Sequence, residues 1–184
     1  MAPVIISKLL DKAALDKTIE RIVNEILEKR SNLSKTAIIG MQTRGVHIAK
    51  RLAEKIRRIR GVSPDLGVLD VTFYRDDFRT RLKQPKVQIT DIPFTIDDTN
   101  LILVDDVLYT GRTIRAALNA LMDFGRPSRI DLVVLIDRGN RELPIEPNFV
   151  GEKSKTLPSE EIQVRIEEID GEDGVYIIEA PKAK

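Results

Sequence analysis

Hydrophobic positions along this chain follow two periods that take turns. Over residues 12–30, Leu15, Ile19, Ile22, Val23, Ile26 and Leu27 recur at steps of three and four with Lys and Glu between them, which predicts an amphipathic helix stopped by SNLS. TAIIG (36–40) is a short β-branched run that predicts a buried strand, and after a turn at Thr43-Arg44-Gly45 the stretch 46–59 returns to helical spacing. VLDVTFY (68–74) predicts the next strand. The polar stretch RDDFRTRLKQPK that follows is longer than a turn, and such a length belongs to a lid, a binding loop or a disordered segment. LILVDD (101–106) and IDLVVLI (130–136) are apolar without alternation, as in strands covered on both faces. Between them VLYTGRT runs into the helix TIRAALNALMDFG, closed by Gly125 with Pro127 beyond. QVRI (163–166) and VYIIE (175–179) predict two short strands joined by the turn-rich IDGEDG, and the chain ends in a frayed tail at 181–184. Strands alternating with helices predict an α/β protein with a mainly parallel sheet. No repeat or linker divides it, so one domain over 1–180 is expected, with a small cap from its last third.

Composition narrows the chemistry. The chain has 184 residues, 42% of them apolar, enough for a core, and its net charge is +1. It contains no cysteine and one histidine, His47, so disulfides, a thiolate nucleophile and a multi-histidine metal centre are excluded. His47, one turn into a helix, reads as structural. The N-terminus lacks an apolar signal core and no run approaches membrane-spanning length, which predicts a cytoplasmic protein. Charge is unevenly spread. Residues 44–60 hold seven cations against the single acid Glu54, either a solvated helix face or a polyanion patch, and the segment from 151 onward is acidic.

The most informative segment is LILVDDVLYTGRT (101–113). In open α/β sheets ligands bind outside the carboxyl ends of strands, where helices begin. Here a strand end delivers Asp105 and Asp106, and a loop with Thr110, Gly111 and Thr113 opens a helix whose amides suit a phosphate. Two carboxylates would repel that phosphate, so they suit neutral hydroxyls or a bridging cation. A phosphorylated sugar offers both a phosphate and a diol. GxxxxGK[ST] and GxGxxG are both absent.

LILVDDVLYTGRT resembles the phosphoribosyl diphosphate (PRPP) motif of type I phosphoribosyltransferases. Together with GMQTRGVHIAKRLA (40–53), DVTFYRDD (70–77), FGRPSRIDLVVLIDRGNRELPI (124–145) and PNFVG (147–151), the pattern resembles the PyrR family, bifunctional pyrimidine regulators with uracil phosphoribosyltransferase activity. The resemblance implies that family's fold: a parallel sheet flanked by helices, a hood built from the N-terminal and 138–179 segments, and a flexible lid over about 75–95. It implies a reaction of uracil with PRPP to give UMP and pyrophosphate, with Mg2+ carried by PRPP and in contact with Asp105 and Asp106. Asp105 and Asp106 would hold the ribose hydroxyls, and Val107, Leu108, Tyr109, Thr110, Gly111, Arg112 and Thr113 the sugar-phosphate side. Thr43, Arg44 and Gly45 match the pyrophosphate loop, where Arg44 supplies a forked permanent charge. Tyr74 and Arg75 match the start of the lid.

For the base, purine-directed relatives place an aspartate where this chain has Tyr109 and a lysine where it has Asp137, which favours a pyrimidine. Asp137, Arg138, Phe149 and Val150 are the expected base pocket; packing without ligand contact is an equal reading for Phe149 and Val150. The family's other activity is binding of pyrimidine operon leader RNA under control of UMP or UTP. Glu20, Asn24, Asn140 and Glu146 stand where cationic or neutral RNA contacts are expected, leaving Lys17, Arg21, Lys29 and Arg141 for a phosphate track. Two readings therefore stand side by side, an enzyme and an RNA-binding attenuator. A purine phosphoribosyltransferase comes third, and the family implies a homo-oligomer.

Overall fold

The computed structural model describes residues 3–30, 33–72 and 89–180. Five parallel strands form the central sheet: β2 (Thr36–Met41), β3 (Asp65–Leu69), β4 (Asn100–Leu108), β5 (Arg129–Asp137) and β6 (Phe149–Lys153), in the order β3-β2-β4-β5-β6. Helices α1 (Lys12–Lys29) and α2 (Arg44–Arg60) cover one face and α3 (Arg112–Met122) the other. The apolar period of α1 is its packing face: all six residues that set it are buried. They meet Ile38, Ile102, Val104, Val133 and Leu135, while Ala116, Ala117 and Ala120 bring α3 down onto Ile39, Leu101, Leu103 and Val134. Strands buried on both faces need no polar alternation, which is why β4 and β5 read as continuous apolar runs.

A second, antiparallel sheet, β1 (Ile5–Leu10), β8 (Gly174–Glu179) and β7 (Glu160–Arg165), forms a hood, with the short helix α4 (Glu167–Asp170) leading from β7 towards β8. Carboxylates of the α4 region fasten the hood to the helices below. Glu167 meets Lys12 at 2.5 Å, Asp170 meets Arg44 at 2.8 Å, and Arg51 is forked between Glu168 at 2.6 Å and Asp173 at 2.8 Å. Burial is the largest single influence on Asp170 and Asp173 and would raise both. The hydrogen bonds from Arg44 and Arg51, the backbone amides of Ile166 and Glu167 and the nearby positive charges together outweigh it, and both carboxyls lie below the ordinary aspartate range. Glu168 is likewise lowered, by its hydrogen bond from Arg51. Carboxyls with depressed folded values contribute stability that is complete above their unfolded values of about 4 and is lost as pH falls through the lower folded ones. The urea midpoint should therefore decline as pH drops below about 4, and less steeply in Arg51→Gln, in which the fork is gone.

Several expected boundaries move. Of VLDVTFY, Val68 and Leu69 form the end of a strand, β3, which starts earlier and stops there because its parallel neighbour in the sheet ends at Met41, opposite Leu69. Past that point the amide of Asp70 goes to Thr90 Oγ1 and the Asp70 carboxylate turns back to the amide and hydroxyl of Thr72, which curls the chain. Phe73 and Tyr74 fall outside the described residues. At the far end of the expected lid, Asp91 exchanges both backbone hydrogen bonds with Val68, so this part is tied to β3. Residues 149–153, expected in the hood, form the edge strand β6 of the central sheet. The helix expected to reach Gly125 ends at Met122. IDGEDG opens on the last residues of α4. Among the described residues no helix is long and apolar enough to cross a membrane.

Candidate active site

The sheet order places one crevice. Chain leaving β2 turns into α2 on one face, chain leaving β4 turns into α3 on the other, and β2 and β4 are neighbours, so the two loops diverge and leave a cleft between their strand ends. Pairing of β2 with β4 stops at Gly40 and Val104, whereas β4 continues beside β5 to Leu108. Asp105 and Asp106 are the first residues of β4 to have lost a neighbour on one side. The strand's facing slips there: Ile102 and Val104 point to the α1–α2 core, but so does Val107, and Leu108 joins the α3 core. Each acid also takes the backbone amide of the residue after it, Asp105 Oδ1 from Asp106 and Asp106 Oδ1 from Val107, both at 2.9 Å. The local chain is thus shaped by its own carboxylates.

Burial pushes the Asp106 carboxyl above its ordinary range, against the pull of the nearby Arg44 charge and a hydrogen bond shared with Asp105. Arg44 opens α2 from the other lip of the crevice. Its neighbour Gly45 is seated so closely on β4 that a Cβ there would lie 2.5 Å from Val104 O and 3.2 Å from Asp105 Cα, and a Cβ on Gly40 would lie 2.5 Å from Val46 Cα. The close seating of Gly45 therefore holds the start of α2, with Arg44 as its first residue, beside the strand end that carries the acid pair. Thr43 is the residue before the helix and supplies no side-chain cap.

On the β4 side, Gly111 takes φ +90 and, as the residue before α3, offers no side-chain cap, while Thr110 Oγ1 accepts the Arg112 amide at 3.4 Å, so the loop's hydroxyl and the first amides of the helix lie together. The loop is held from behind. Thr110 O accepts the amides of Glu142 and Leu143, and Arg112 Nε meets Glu142 at 2.7 Å. Tyr109, exposed on one side, carries the Arg138 guanidinium over its ring at 3.8 Å.

The expected base residues part company. A cavity of about 270 Å³ beside this loop is lined by Asp137, Gly139, Arg141, Glu146, Pro147, Val150 and Lys153. Asp137 and Val150 are there. Phe149 is not: successive residues of a strand face opposite ways, and Phe149, 2% exposed, packs in the α1–α2 core under Lys29 at 4.7 Å. Arg138 is buried and bound to Thr156 Oγ1 at 2.7 Å and Glu160 O at 2.6 Å, which turns it towards the hood and the Tyr109 ring.

Arg141, expected on an RNA track, instead wraps the cavity floor. It donates to Ile145 O at 2.9 Å, to Tyr109 O at 2.8 Å and to Asp137 Oδ1 at 2.6 Å, and Asp137 also accepts the Gly139 amide. Arg21 binds Glu25 and the carbonyls of Val150 and Gly151, and Lys29 reaches Asn148 O at 3.5 Å, so both join α1 to β6. Lys17 is exposed on α1. Tyr74 and Arg75 lie outside the described residues. Sequence reasoning missed Lys153 and Pro147 at the cavity and Asp170 at Arg44. Lys153 was legible only once β6 is known to be a strand of the main sheet.

The phosphoribosyl transferase domain family matches residues 6–168. The chain is 47% identical to the bifunctional protein PyrR of Pelotomaculum thermopropionicum over 94% of its own length and 96% of that protein's. It is 50% identical to the PyrR of a Roseiflexus species, over 93% and 94%. This chain belongs to the PyrR family. Among solved structures, a hypoxanthine-guanine phosphoribosyltransferase from Bacillus anthracis superposes with a TM-score of 0.69 at 16% identity, covering 95% of this chain and 98% of that one. The hypoxanthine phosphoribosyltransferase of Trypanosoma cruzi gives 0.70 at 12%, covering 95% and 97%. At those identities the likeness shows the fold alone, and that fold is the type I phosphoribosyltransferase fold expected from LILVDDVLYTGRT.

Proposed function

We propose that this PyrR-family chain transfers the phosphoribosyl group of PRPP to uracil, releasing pyrophosphate and forming UMP. The observation that carries the reading is the acid pair Asp105–Asp106 at the lip where β2 leaves β4, with the Arg44 charge nearby and the Thr110–Gly111 start of α3 alongside. Diol hydroxyls fit the carboxylates, the 5-phosphate fits the Tyr109–Thr113 loop, and the diphosphate fits Thr43–Arg44–Gly45. The uracil ring fits the cavity by Asp137 and Val150.

Displacement at the anomeric carbon builds positive charge on the sugar and negative charge on the leaving diphosphate, so catalysis asks for fixed charges and little covalent help. Arg44 supplies one on the leaving side, and the carboxylates lie beside the sugar. Among the described residues no cluster of three metal-binding side chains occurs. Two carboxylates beside a diphosphate site are nevertheless the donor set Mg2+ takes when it arrives with a phosphorylated substrate. Asp105 and Asp106 would hold it, and it would add leaving-group charge neutralisation when bound.

Pyrophosphate release from PRPP should be seen with uracil and not with hypoxanthine or guanine. Turnover with the purines alone would return the purine reading, and no turnover with any base would leave a binder on a transferase fold.

Leader-RNA binding is the second reading, and one observation favours it: Lys17 and Arg21 both lie exposed on one side of α1. Glu20 lies between them and Arg141 is turned inward. Filter binding of pyrimidine leader RNA, with and without UMP or UTP, measures it, and weak nucleotide-insensitive binding rejects it.

A further inference from the structure

Arg44 does not reach the crevice unsupported. Asp170, 126 residues away at the end of α4, takes its guanidinium by one edge: Oδ1 accepts Nη2 at 2.8 Å and Oδ2 accepts Nε at 3.1 Å. The carboxylate is itself fixed, because Oδ2 also accepts the Ile166 amide at 2.9 Å. Side-chain exposures are 31% for Arg44 and 19% for Asp170, so the pair is largely shielded from water. Two turns further along α2, Arg51 is held by Glu168 and Asp173, which keeps α4 seated on this helix independently of Arg44. The hood thus has its own anchor, and the Asp170 contact is free to do something else.

A guanidinium has five N–H donors in one rigid plane, and Asp170 occupies the Nε–Nη2 edge. The Nη1 side remains for a second anion. An arginine already held by one edge loses less freedom when that anion binds.

We infer that Asp170 is a positioning residue for the sugar donor: it holds Arg44 by its inner edge so that the outer edge meets the diphosphate. The inference rests on the reading of Arg44 as the diphosphate ligand. A rival effect has the opposite sign. Asp170 cancels part of the arginine's charge, so its removal would strengthen the attraction for a polyanion if charge outweighed geometry. The direction of the change in affinity therefore decides between them.

Steady-state kinetics of the full chain, with PRPP, magnesium and uracil varied separately, test it. In Asp170→Ala the KM for PRPP should rise about tenfold with that for uracil within about twofold, and Asp170→Glu should recover most of the loss. Glu168→Ala, which loosens the hood without touching Arg44, should lower thermal stability and leave both KM values in place. An unchanged KM for PRPP in Asp170→Ala would make the contact only a rivet, and a lower one would make Asp170 a competitor for Arg44. Either result overturns the proposal. If the alanine variant does not fold, the isosteric Asp170→Asn is read against the same outcomes. Failure of Arg44→Ala to raise the KM for PRPP would instead remove the diphosphate reading itself, and with it the role of Asp170.

Discussion

Replacing Asp105 and Asp106 together by asparagine should lower kcat/KM for PRPP by at least about a hundredfold, the scale on which a positioned charge or hydrogen-bonding group acts at a reacting centre. The same variant should fold normally. Each carboxylate serves the local chain through one oxygen that accepts a backbone amide, and an asparagine carbonyl can accept the same bond. Its thermal midpoint should equal or slightly exceed that of the parent. Burial raises the Asp106 carboxyl, meaning that its ionised form is disfavoured in the folded state relative to the unfolded one. A group of this kind destabilises the fold once pH rises above its unfolded value, so at neutral pH a neutral isostere relieves the penalty. Lost activity with preserved or improved stability marks a residue kept for function. Thermal melts and PRPP titrations on the single and double variants check it, and activity at the parent level in the double variant would end the assignment.

That contrast also explains what could be read before the structure was known. LILVDD announced both a buried strand and an acid pair because the two features are local: apolar residues on both faces, then charge where the neighbouring strand stops. The periods of α1 and α2 were legible for the same reason. The sequence treats Phe149 and Val150 alike, as base pocket or as packing without ligand contact, because two apolar residues in NFVGEK carry no period. Once β6 is seen to pair with β5, alternation sends one to the core and the other to the cavity. β1 was invisible as a strand because most of its residues are exposed and its pairing with β8 carries two register shifts. Arg138, Arg141 and Asp170 were hidden more deeply. Arg138 and Arg141 meet Glu160 O and Tyr109 O, and Asp170 meets the Arg44 guanidinium, groups brought close by the fold, and a long-range polar contact leaves no periodic trace in the sequence.

Gly45 carries the other large effect. Gly45→Ala should destabilise the protein by about 1–3 kcal/mol, the usual range for overpacking, and should weaken PRPP binding at the same time. The added methyl would stand 2.5 Å from Val104 O and 3.2 Å from Asp105 Cα, which are backbone atoms of the central strand and cannot rotate aside. What can move is the start of α2, away from β4, and Arg44 is its first residue. A displacement that relieves the clash therefore also draws the arginine off the acid pair. For a chain of this size the stability loss corresponds to a fall in Tm of roughly 2–4 °C per kcal/mol. Gly61→Ala is the proper control. Gly61 closes the same helix at φ +70 with nothing within 4 Å of its missing Cβ, so alanine there meets backbone strain and no neighbour. That variant should lose about 1–2 kcal/mol with the KM for PRPP unchanged. Equal effects on PRPP binding at both glycines would mean that general loosening of α2, and not its close seating on β4, governs the site.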